Sequence, residues 1–253
     1  MVRATIDSPY LQFSDNYENT VWVFQFSDLA RTATKRISAT IDIGFSDQAG
    51  HPQEDGAERF LHVNTTFVNA PEVRRVVEQV SQNSPAESLE KLFAWFREQS
   101  KSDVLSVLSK PLSKPYDPSS NEPPVIADPV KSVLEVFQSN ERTAVGKVFL
   151  FTALAQAIGL PSRVVVGLRI DAGQILTFND VTAWSEVRMD GQWQHIDVDS
   201  GVRVADQPSN YLAMRMLDPG VEDIRPEPYD YLVEAMGVHV SPGSVKVRLM
   251  KSE

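Results

Sequence analysis

One stretch of this chain limits its folds more than any other. The run from Ala144 to Ile158 is mostly apolar, contains no proline, and ends at Gly159-Leu160-Pro161. A helix that is apolar on nearly every side has to be central, with other elements wrapped around it. Thr143 stands where an N-cap is expected. The glycine accepts the left-handed conformation that closes a helix, and the proline cannot continue one. Strand patterns follow at 163–168, 181–188 and 192–198, and Asp190-Gly191 joins the last two. That dipeptide is a strong signal for a two-residue hairpin. The expectation is a central helix against antiparallel strands.

Upstream, the first 67 residues read as β-structure. Thr20 to Phe26 is a strand pattern, and Ile37, Ala39, Ile41 and Ile43 alternate with polar neighbours. A third candidate strand runs from Phe60 to Val63. Helices come next: Val73, Val76, Val77 and Val80 keep the spacing of a buried helical face. Ser84, Pro85 and Glu87 then form a start signal with N-cap, N1 proline and capping-box acid, ahead of the stripe Leu89, Leu92, Phe93 and Phe96. Residues 110–124 hold five prolines, the mark of an extended loop, either a binding lid or a solvated connection. Asp128-Pro129 opens a short helix bearing Val130, Val133, Leu134 and Phe137. A final strand is expected from Ser244 to Met250. The chain therefore divides at 1–67, 68–205 and 206–253.

Composition excludes several functions. The 253 residues carry a formal charge of −10, and the densest basic pairs are Arg74-Arg75 and Lys35-Arg36. Nucleic acid and anionic membranes both need a concentrated basic face, so neither is an expected partner. There is no cysteine, hence no disulfide, thiolate ligand or thiol nucleophile. His51, His62, His195 and His239 lack any metal-ligand spacing, so no metal is expected. No phosphate loop, dinucleotide fingerprint or serine-nucleophile elbow is present, and no cofactor is expected. Without a signal-like N-terminal run or a stretch of ~18 apolar residues, a cytoplasmic location is the expectation. The sequon Asn64-Thr65-Thr66 carries no meaning without secretion.

Three blocks carry a family resemblance. The first is Phe151-Thr152-Ala153-Leu154-Ala155-Gln156-Ala157-Ile158-Gly159-Leu160-Pro161-Ser162-Arg163-Val164-Val165-Val166-Gly167, which is similar to a helix ending "L-x-R-A-x-G-I-P-A-R-V-V-x-G". The others are Ala183-Trp184-Ser185-Glu186-Val187 against "H-A-W-x-E-V", and Gly191 to Asp197 against "G-x-W-x-x-x-D". In this order they resemble the core of the transglutaminase-like superfamily, whose fold is related to papain-type cysteine proteases. The resemblance covers residues 70–200. It implies an α+β fold, a transglutaminase-like (papain-like) core with a central helix on an antiparallel sheet, preceded here by the N-terminal β-rich segment.

Family members use a Cys-His-Asp triad for acyl transfer or amide hydrolysis. Fifteen residues before Gly159, the cysteine position falls on Ala144; the histidine that begins "H-A-W" falls on Thr182. Only the aspartate is kept, as Asp197. Alanine offers no nucleophilic atom, and threonine takes up no proton at neutral pH. An engineered trap would account for Ala144 alone; the double replacement fits natural loss of the thiol reaction.

A tight turn at Asp190-Gly191 pairs Thr182 with Asp199, Trp184 with Asp197, Glu186 with His195 and Arg188 with Trp193, all on one sheet face. Asp197, Glu186, Asp199 and His195 then gather where the family's histidine and aspartate lie. Neighbouring carboxylates push their pKa values apart, and a histidine held by Glu186 could shuttle a proton. That suits cyclisation, isomerisation, dehydration or hydration of a small molecule. The bland alternative is a cross-strand pair beside a solvated strand end. At the start of the central helix, Thr143 and Ala144, with Thr182 and Trp184, are candidate ligand-binding positions, since unpaired N–H groups there favour an anion or carbonyl. Equally, Thr143 is a plain cap and Trp184 a core residue. Two functions follow: acid–base chemistry on a small molecule, or a catalytically inactive pseudoenzyme holding a peptide or protein segment in the old cleft.

Overall fold

The structure is a computed structural model and describes residues 2–15, 17–24, 38–43, 57–61, 63–108, 132–139, 144–169, 175–177, 181–198, 202–204, 211–219 and 244–246. The chain forms two compact units, residues 1–54 with 229–243, and residues 55–228 with 244–253.

The first unit holds β1 (Val2–Ile6), β2 (Leu11–Ser14), β3 (Thr20–Val23) and β4 (Ala39–Ile43). β1 pairs antiparallel with β4, and β2 with β3. The bend between β2 and β3 is closed by the Asp15 carboxylate, which accepts from the backbone N–H of Tyr17 (2.8 Å) and Asn19 (2.9 Å). This is the local side-chain closure at which aspartate excels. The expected strand at Thr20 ends at Val23; Gln25, Phe26 and Ile37 lie outside the described residues. Alternation alone did not reveal β1 and β2.

The second unit opens with a 3₁₀ turn at Ala57–Phe60, which corrects the strand expected from Phe60 to Val63. Phe60 is committed to the core instead. Its ring is fully buried and meets Trp193 edge-on at 5.4 Å, and its carbonyl accepts from Gln156 Nε2 at 3.1 Å. Helix α1 (Thr65–Asn69) is capped by Asn64, whose Oδ1 accepts the N–H of Phe67 at 3.1 Å. α2 (Pro71–Val80) starts on its proline and buries Val73, Val76 and Val80. α3 (Pro85–Leu108) begins as expected, with Ser84 Oγ accepting the N–H of Glu87 at 3.2 Å. The proline-rich stretch 110–124 falls outside the described residues.

Helix α4 (Val133–Gln138) starts later than Asp128-Pro129 suggests. Those two residues are outside the described set, and Ser132, in a non-helical conformation, is the cap. Ser132 Oγ accepts the Glu135 N–H (3.2 Å) while the Glu135 carboxylate accepts the Ser132 N–H (2.7 Å). This reciprocal box is what sets the boundary. Helix α5 (Ala144–Ala157) is the central helix foreseen, buried almost continuously from Gly146 to Gln156. It ends in a Schellman motif: Gly159 has φ 84°, the Leu160 N–H bonds to the Ala155 carbonyl, and the Gly159 N–H to that of Gln156.

The strands that follow are β5 (Ser162–Arg169), β6 (Ile175–Thr177), β7 (Val181–Met189), β8 (Gln192–Asp197), β9 (Val202–Val204), β10 (Tyr211–Leu217) and β11 (Ser244–Lys246). β11 pairs with β6 in a separate two-stranded sheet. The other five form an antiparallel sheet in the order β10-β5-β7-β8-β9. Asp190 (φ 52°) and Gly191 (φ 80°) turn β7 into β8; two positive φ angles in succession define the type I′ hairpin whose twist matches the strands. The register is the one that turn dictates, with Glu186 opposite His195 and Arg188 opposite Trp193. β10, which lies beyond residue 205, is an edge strand, and a register shift between Ala213 and Arg215 interrupts its pairing.

Both faces of the sheet carry buried side chains. Helix α5 covers one: Thr152 Oγ1 and Ser185 Oγ share a hydrogen bond of 2.8 Å, and Val164, Val166, Val187 and Ile196 join Phe149, Leu150 and Leu154 in the main core. The other face presents Arg163, Trp184, Glu186, Trp193 and His195, all buried as well.

Candidate functional site

That second face is built by strand alternation. Register places Arg163 on β5, Glu186 on β7 and His195 on β8 side by side across three strands, so their side chains project together. Arg163 directly precedes the apolar run Val164-Val165-Val166 on a buried strand, and a buried guanidinium there requires a counter-ion. Glu186 is that counter-ion. Arg163 Nε–H donates to Glu186 Oε2 at 2.8 Å, and Trp184 Nε1–H donates to Glu186 Oε1 at 3.1 Å. The guanidinium also lies 4.1 Å from the Trp193 ring centroid and 5.5 Å from that of Phe60. A planar, weakly hydrated cation between aromatic faces is well suited to burial. Each carboxylate oxygen of Glu186 therefore accepts from a donor inside the protein.

His195 sits beside this pair. Its ring stacks on Trp184 (5.6 Å between centroids, 23° between planes) and meets Tyr211 edge-on at 4.9 Å. Its Nδ1 is buried and has no hydrogen-bond partner among the described residues. Burial holds its pKa below the ordinary histidine value, against the opposing pull of Glu186 and Asp197, which favour the proton. The imidazole is neutral at physiological pH.

Gly167 makes this row of rings possible. A Cβ there would run into the Leu212 carbonyl oxygen and would stand 2.7 Å from the Trp184 ring. The missing side chain lets Trp184 lie across β5 and lets β10 approach. Trp184 and Tyr211 then touch edge-on at 5.2 Å.

The candidate residues read from the sequence separate into groups. Glu186, His195 and Trp184 come together as described. Asp197 is exposed at the end of β8, Thr182 is half-buried on β7, and Ala144 is exposed at the first position of α5. Asp199 and Thr143 lie outside the described residues. Sequence reasoning missed Arg163 and Tyr211. An arginine at the head of a valine run is a signal for the first, since such a charge must be paired when the strand is buried; nothing local marks Tyr211, which reaches the site only because β10 docks against β5. Among the described residues there is no group of three His, Asp or Glu placed to hold a metal ion, and no helix long and apolar enough to cross a membrane.

Residues 74–198 match the profile of the Transglutaminase-like superfamily. The chain is also similar to a solved structure from Cytophaga hutchinsonii, described as a "putative cysteine protease", at 13% identity and a TM-score of 0.33, covering 86% of this chain and 70% of that one. Among curated proteins the chain has no significant sequence match.

Proposed function

Since residues 74–198 form a core of the transglutaminase-like superfamily, we propose that this domain has left thiol chemistry and acts as a binding module, holding a peptide or protein segment beside the start of α5. Ala144 and Thr182 stand at the family's nucleophile and base positions, so neither attack nor proton abstraction is supplied there. The observation that carries the reading is the engagement of Glu186, whose two oxygens serve Arg163 and Trp184. A carboxylate that compensates a buried guanidinium is not spare for acid–base work.

A second reading, acid–base chemistry on a small molecule, draws on one feature: the neutral imidazole of His195 lies two residues from exposed Asp197. The two readings separate in one experiment. The intact protein and its Asp197→Ala variant are screened by native mass spectrometry against a peptide library and a metabolite mixture. A peptide retained unmodified, with equal affinity for both proteins and amide shifts around Ala144 and Thr182, supports the binding module. A small molecule that the parent converts and Asp197→Ala only retains overturns it in favour of proton-transfer catalysis.

A further inference from the structure

The sheet face opposite α5 contains a titratable ring whose hydrogen bonding is incomplete among the described residues. His195 is 5% exposed, packed against Trp184 and Tyr211, with Nδ1 buried and unpartnered. We propose that His195 is a proton-operated latch: neutral, it clips Tyr211 and the first residues of β10 onto the sheet, and protonated, it leaves the ring stack and releases that strand end. This stands whether the domain binds or catalyses.

The driving asymmetry is one of donors and acceptors. A neutral imidazole leaves one ring nitrogen as a lone pair, but an imidazolium is a donor at both nitrogens. A buried, charged N–H without an acceptor is far more unfavourable than a bare lone pair. Among the described residues, none of the groups facing His195 bonds to Nδ1. On β7, Glu186 attracts the proton but directs its oxygens to Arg163 and Trp184. On β5, Arg163 adds a fixed positive charge beside that carboxylate. On β10, Tyr211 presents its ring at 67° to the imidazole. On β9, the register partner is Val204. Asp197, on the same strand and face, is exposed. The protonated ring thus finds its carboxylate by turning outward, and that motion abandons Trp184 and Tyr211 together.

The released piece is defined by the fold. Tyr211, Leu212 and Ala213 pair with Arg169, Leu168 and Gly167, and the register shift after Ala213 separates them from the rest of β10. A bulge isolates a short stretch of ladder at an edge, so this end can open while Arg215 to Leu217 stay paired. The sign follows from burial, which lowers the pKa of His195 in the closed form. The closed form is fully favoured above the ordinary histidine value of about 6.5 and is lost as pH falls through the folded-state value.

The test is hydrogen exchange of the full chain between about pH 8 and pH 5, with the His195 ring followed by NMR and rates corrected for intrinsic exchange. Below about pH 6.5, protection of Tyr211–Ala213 is expected to fall about tenfold per pH unit until His195 is titrated, while the β7–β8 amides keep theirs. His195→Gln removes the dependence. Protection that stays level while His195 titrates overturns the latch, as does loss in step with β7–β8, which would mean global unfolding. If His195→Gln fails to fold, the comparison of the two segments in the parent protein decides.

Discussion

The two faces of the five-stranded sheet both carry buried side chains but are held by different physics. Against α5, the apolar contacts are those of Val164, Val166, Val187 and Ile196 with the helix, and the polar ones include the hydroxyl pair Thr152–Ser185 and the bond from Gln156 Nε2 to the Ser162 carbonyl. The apolar contacts are non-directional and roughly proportional to area, so each side chain contributes on its own account. On the opposite face, Arg163, Glu186, Trp184 and Trp193 depend on one another, since a charge, its counter-ion and the rings around them are buried together. Removing Arg163 or Glu186 there leaves a charge uncompensated. The lesson is that an acidic position inside a family motif can be occupied by a structural ion pair, and its carboxylate is then tied to folding.

The sharpest way to break this contrast is Arg163→Leu. It strands Glu186 in the interior and is expected to lower stability by about 3–5 kcal/mol in chemical denaturation. The double variant Arg163→Met with Glu186→Leu is expected to recover most of that loss; no recovery would mean that the pair is not energetically coupled. Next in size is Gly167→Ala, at about 3 kcal/mol, the upper end for overpacking, because the obstacle is the backbone carbonyl of Leu212 and no side-chain rotation relieves it. Loss of β10 protection ahead of β7–β8 in hydrogen exchange would identify the strand displaced. The smallest effect belongs to the α5 face. Ser185→Ala removes one hydrogen bond while Thr152 keeps its bond to the Val148 carbonyl at 2.9 Å, so a loss of about 1 kcal/mol is expected. A loss as large as that of Arg163→Leu would erase the distinction between the faces.

Much of the fold was readable locally. The apolar run with Gly159 behind it specified α5 and its Schellman end, and Asp190-Gly191 specified both the hairpin and its register, since a type I′ turn leaves no freedom in which residues face each other. From that register, Glu186 beside His195 was legible. What the pair does was not, because the decisive partner lies 23 residues away on another strand. Phe60 misled for a similar reason: an apolar residue in a short run reads as a strand until Trp193 and Gln156 claim its ring and carbonyl.

By itself, the chain's order of residues determined the central helix, the hairpin register and the absence of a thiol. These rest on local dihedral preferences, on the period of apolar residues and on the chemistry each side chain possesses. Only the tertiary structure decided that Glu186 answers Arg163, that Gly167 makes room for Trp184 and β10, and that His195 is shut between Trp184 and Tyr211. Those outcomes depend on which strands lie side by side, and burial is a property of that assembly, not of any segment within it.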